Sequence, residues 1–174
     1  MDVSIRRYLG IGFSLMESAA VVRLSLLFGS TWTVNAVVFS AVLLTIFCAN
    51  LMVLKAAAPR LEFAWAGLAA SILLNYGSSP GLLLVLATPF RVLGAAMLIG
   101  LPIFFAAVCF SRLFAAEKIT GYPLGLNLIG AMAGGLVEYI SMLTGMRAVW
   151  LIVLVLYLCA WLSNQHVRGR VTTA

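Results

Sequence analysis

The chain has 174 residues, of which 64% are hydrophobic and 9% charged, with a formal net charge of +6. A soluble domain is about half apolar and about a quarter charged, so this composition excludes an ordinary water-soluble core and describes an all-α, polytopic helical membrane protein. The basic residues are scattered among the gaps between apolar runs, which is the pattern of topology signals and excludes a nucleic-acid-binding patch.

A span needs roughly 20 mostly apolar residues, and six stretches of the chain fit that description. The first covers about residues 8–27 and follows Arg6 and Arg7. Two arginines before an apolar run are also how a signal peptide begins. Here Glu17 interrupts the run and apolar sequence continues beyond it, so a retained first helix is expected. The second stretch covers about residues 32–54 and stops at Lys55, before a short linker ending in Pro59 and Arg60. The third is short, about residues 61–76, and ends in turn formers from Asn75 to Gly81.

Next comes GLLLVLATP, whose rise as a helix is about 13 Å, far too short to cross a bilayer. A half-helix lying at or dipping into the membrane surface is expected there. The alternative is an extension of the third helix through a break at Gly77 to Gly81. The fourth stretch covers about residues 90–113 and contains Pro102, which removes one backbone hydrogen bond and predicts a kink near Leu98 to Pro102. The fifth and sixth cover about residues 122–144 and 147–164. The expected architecture is a single integral membrane bundle over residues 1–174, with six transmembrane helices and a half-helix between the third and fourth.

Cytoplasmic loops collect Lys and Arg. With the N-terminus inside, the inner segments hold Arg6, Arg7, Lys55, Arg60, Arg112, Lys118, Arg168 and Arg170. The outer segments hold Arg91 and Arg147. This asymmetry predicts a multi-pass protein with both termini cytoplasmic.

Three charged residues fall well inside spans, away from the ends: Glu17 and Arg23 in the first, Glu138 in the fifth. A charge at that depth is normally paired or marks a pathway. Counting rise along the helices brings Arg23 and Glu138 to similar depth, so an ion pair between them is expected. Glu17 reads either as a proton or cation coupling site or as a helix-locking polar contact, and Asn127 is the other candidate for an intramembrane polar site. Asn50, Asn75 and Asn127 read first as interhelical hydrogen-bonding groups, worth about 0.6–2 kcal/mol each. The segments beginning at Asn35 and Asn127 share Asn, Ala and Leu, a faint sign of an inverted repeat.

Gly130 and Gly134 form a G-x-x-x-G step, joined by Gly135. They predict close helix packing, within this bundle or against a second subunit. Trp32, Trp65, Trp150 and Trp161 fall near span ends, as an aromatic belt does. Cys48, Cys109 and Cys159 match no metal or disulfide spacing, and His166 is the single histidine, so neither a metal nor a cofactor is expected.

Two segments carry a likeness to a known family. FSLMESAAVVRLSLLFGST has the form F-S-L-x-E, then R-L, then F-G-S. The other has the form L-G-x-N-x-x-G-A-x-x-G-G-x-x-E-Y, followed by G-x-R-A. Together they resemble the membrane-embedded part of bacterial spermidine-synthase-like proteins. The likeness rests on Glu17, Arg23, Gly29, Asn127, Gly130, Gly134, Gly135, Glu138 and Tyr139. In that family the membrane part is commonly joined to a soluble aminopropyltransferase-like domain. The resemblance implies location in the bacterial inner (plasma) membrane. No G-x-G-x-x-G after a strand occurs in this sequence, so aminopropyl transfer does not carry over.

The function expected on these grounds is non-catalytic. The chain reads as an accessory or scaffold subunit of a larger membrane complex, or as the membrane module of a partner on another chain. Its neighbours would be the lipid bilayer and other membrane protein subunits. The alternative is a small-molecule or ion transporter using Glu17 as a coupling site and working as a dimer. A membrane enzyme would need convergent nucleophile, acid or metal groups, and the sequence displays none.

Overall fold

In hydrocarbon no water is at hand for backbone N–H and C=O groups, so an apolar run must satisfy them within itself, as a helix does. The computed structural model describes residues 3–115 and 121–172, and every regular element among them is helical. In order these are α1 (Val3–Phe28), α2 (Trp32–Leu54), α3 (Leu61–Gly77), α4 (Pro80–Leu84), α5 (Thr88–Ala115), α6 (Gly121–Val137), a 3₁₀ turn (Glu138–Ile140), α7 (Ser141–Thr144) and α8 (Met146–Thr172). Lys118, one of the charges used above for orientation, lies outside the described residues.

Among the described residues, five stretches are long and apolar enough to cross a membrane: Val3–Phe28, Val34–Leu54, Thr88–Ala115, Gly121–Thr144 and Met146–His166. The fifth of the predicted spans is thus α6, the 3₁₀ turn and α7 taken together. The remaining predicted span, α3, has 17 residues, a rise of about 26 Å against a hydrocarbon core of about 30 Å. Within GLLLVLATP, residues 81–84 belong to α4, a helix of five residues, and Thr88 and Pro89 already open α5.

Local chemistry sets the ends. α1 stops at Gly29, whose φ of +90° suits glycine and whose N–H donates to the Ser25 carbonyl at 2.8 Å. Thr31 then caps α2, its hydroxyl accepting from the Val34 N–H at 3.3 Å. Gly145, at φ +80°, makes the turn from α7 into α8.

α1 lies between α6 and α8. α6 runs parallel to it, because Arg7 meets Gly130 and Ile11 meets Gly134. α8 packs on the other side, with Tyr157 against Gly12. α3 and α5 are antiparallel: Gly67 meets Phe105 and Asn75 meets Leu98. The core holds Leu15, Met16, Leu68, Ile72, Ile103 and Val153, all fully buried. Trp65 of α3 and Tyr157 of α8 add an edge-on ring contact at 6.2 Å. Outward faces of α2 and α6 expose Leu43, Leu44, Phe47, Leu128, Met132 and Leu136, side chains that suit lipid and would be a liability in water.

Candidate functional site

The most polar part of the interior forms where the C-terminal ends of α1 and α3 meet α5. Arg23 of α1 is 6% exposed and Asn75 of α3 is 1% exposed. Arg23 Nη1 donates to Asn75 Oδ1 at 2.7 Å and to the Asn75 carbonyl at 3.0 Å. Its Nη2 donates to Ser78 Oγ at 3.0 Å and also to the Ser78 carbonyl. The guanidinium therefore caps the last carbonyls of α3, where the helix dipole places partial negative charge. Asn75 Nδ2 in turn donates to the Ser71 carbonyl at 3.0 Å and to the Leu98 carbonyl of α5 at 2.6 Å. Leu98 lies four residues before Pro102, so its carbonyl has lost the N–H it would accept in an unbroken helix. The asparagine supplies the missing donor.

The expected ion pair between Arg23 and Glu138 is not the arrangement found. Glu138 Oε2 accepts from Ser18 Oγ of α1 at 2.8 Å, while Arg23 is engaged by α3. Both residues do reach α1's surroundings at the same end of the bundle. However, Ser18 and Arg23 are five residues apart, about 140° around α1, so their neighbours lie on different sides of that helix. Counting rise gives depth and says nothing of azimuth.

Glu17 and Asn127 are not brought together. Asn127 meets α1 at Gly10, and Gly10 lies about 10 Å along the axis from Glu17. Asn127 Oδ1 is buried without a partner, at a cavity of about 190 Å³ that also touches Asn50 and Tyr157. Glu17 is half-buried and does not line that cavity. A cleft of about 420 Å³ lies between α3 and α8, with Trp65, Tyr157 and Trp161 on its walls and Glu62 and Gln165 at one end.

The glycine step works within the chain. A Cβ on Gly130 would stand 2.5 Å from the Arg7 carbonyl oxygen, and one on Gly134 2.8 Å from that of Ile11. Gly135 does not share this role, since nothing lies within 4 Å of a Cβ built there. Its place is taken by Gly10 of α1, whose added Cβ would collide with the Asn127 carbonyl. Gly10 escaped notice in the sequence because the residue four positions on is Ser14 and not a second glycine, so no G-x-x-x-G step marks it. Ser78 and Arg147 also went unremarked as site residues. Ser78 reads as an ordinary turn residue, and Arg147 as a topology charge. Among the described residues no cluster of three or more His, Cys, Asp or Glu stands ready to hold a metal.

Compared with protein-family models, with curated proteins and with solved structures, the chain matches none.

Proposed function

We propose that this protein is a non-catalytic integral membrane protein with six spans, serving as an accessory or scaffold subunit of a larger membrane complex. The observation that carries the reading is how the interior polar groups are used. Arg23, Asn75 and Ser78 tie α1, α3 and the α4 approach to α5, and Glu138 is tied back to α1 through Ser18. These groups fasten helices to one another. The α1–α6 contact, backbone against backbone, is of the same kind.

Counting α3 as the sixth span is supported by its antiparallel course beside α5. In this reading α4 is the half-helix at the membrane surface, and the bias of basic residues supports cytoplasmic termini. A bacterial inner membrane and kinship with the membrane part of spermidine-synthase-like proteins are the setting we propose for it.

The alternative, a carrier, draws support from the cavity beside the unpartnered Asn127 Oδ1 and not from Glu17. Blue-native electrophoresis of mildly solubilised native membranes, with cross-linking before solubilisation, tests the accessory role. The expected result is migration with a second, cross-linkable membrane protein. Migration only as a monomer or homodimer, with cross-links confined to this chain, would contradict it.

A further inference from the structure

We infer that the pocket between Arg23 and Arg147 is a binding site for a phosphate group, at the end of the bundle opposite the termini. The pocket measures about 80 Å³ and is flanked by Arg23, Asn75, Ser78, Arg147, Leu26 and Trp150. Two guanidinium groups thus share one small space, and no side chain lining it is acidic. The hydrogen bonds from Arg23 Nη1 and Nη2 to Asn75 and Ser78 all end on uncharged acceptors. They satisfy its donors without neutralising its charge. Arg147 is exposed and stands in the first turn of α8, where free backbone N–H groups also favour an anion.

Cations gathered at the low-dielectric edge of a bundle repel one another unless an anion joins them. The planar fork of Arg147 matches a tetrahedral oxyanion, and a bidentate contact of that kind is strong, while Arg23, its Nη donors already engaged, contributes charge. The volume suits the same ligand. About 80 Å³ has room for a small oxyanion.

Either a lipid headgroup or free phosphate supplies that chemistry. Leu26, 64% exposed at the rim, offers an apolar track for an acyl chain, and the end of a span is where headgroups lie. The site does not depend on the accessory-subunit reading and stands or falls without it.

The test uses the full chain in mild detergent, with native mass spectrometry counting bound adducts. It is titrated separately with dioleoylphosphatidylglycerol, with dioleoylglycerol, which lacks phosphate, and with inorganic phosphate. The expected result is retention of phosphatidylglycerol over dioleoylglycerol, weakened about tenfold in Arg147→Gln and partly restored in Arg147→Lys. Arg147 is exposed, so these variants leave the core intact. An Arg147-dependent affinity for inorganic phosphate, with no preference for phosphatidylglycerol over dioleoylglycerol, would support the phosphate site and assign it to a free anion. Equal affinity of the wild-type protein and Arg147→Gln for both phosphate-bearing probes would overturn the inference.

Discussion

Asn75 of α3 donates its side-chain amide to the Leu98 carbonyl of α5 at 2.6 Å, the one carbonyl that Pro102 leaves without its helical N–H. A helix break in one span is thus repaired by a polar side chain of another, as hydrocarbon requires. Asn75→Leu should therefore destabilise the bundle by about 2–4 kcal/mol, since it orphans the Leu98 carbonyl and strips Arg23 of an acceptor. Pro102→Ala returns an N–H to Leu98. In a double-mutant cycle followed by thermal unfolding in detergent, the two changes should be coupled by about 1 kcal/mol, the pair being milder than the sum. Strict additivity would mean that Asn75 does not serve that carbonyl.

The partners of Arg23 give a second prediction. Arg23→Ala and Asn75→Ala should couple by at least about 1 kcal/mol, because each removes the other's hydrogen bonds. Arg23→Ala and Glu138→Ala should add to within about 0.5 kcal/mol, because the two side chains serve different helices. The reverse ranking in the same unfolding assay would restore the Arg23–Glu138 pair.

Neighbouring glycines should behave very differently. Gly10→Ala and Gly130→Ala push a methyl into the backbone of the facing helix and should each cost at least about 2 kcal/mol. Gly135→Ala meets nothing within 4 Å and should change stability by no more than about 1 kcal/mol, in the favourable direction. Disulfide cross-linking of cysteines paired across α1 and α6 checks the register independently, and should follow the pairing of residue 11 with residue 134.

Much of this fold was legible from one sequence because lipid narrows the choices to helices of a fixed length. The turn formers from Asn75 to Gly81 marked the end of α3, and Gly130 and Gly134 marked a close contact. What the sequence could not supply was azimuth. Whether Arg23 faces α6 or α3 depends on the order of helices around α1, and no residue pattern in the chain encodes that order. The role of Asn75 needed the same knowledge, since its link to Pro102 exists only once α3 is known to lie beside α5. Gly135 misled for a related reason. It adjoins Gly134, yet it sits about 100° away around the helix and faces no other backbone.

The six-span architecture is tested most directly by the side from which single cysteines are labelled. Cys48, Cys109 and Cys159 are first replaced, and cysteine is then introduced at Ala57, Ser79 or Thr144 in separate variants. A membrane-impermeant maleimide added to intact cells should label Ser79→Cys and Thr144→Cys and leave Ala57→Cys untouched until the membrane is permeabilised. Labelling of Ala57→Cys and Ser79→Cys from the same side would show that α3 does not cross, and would contradict the account.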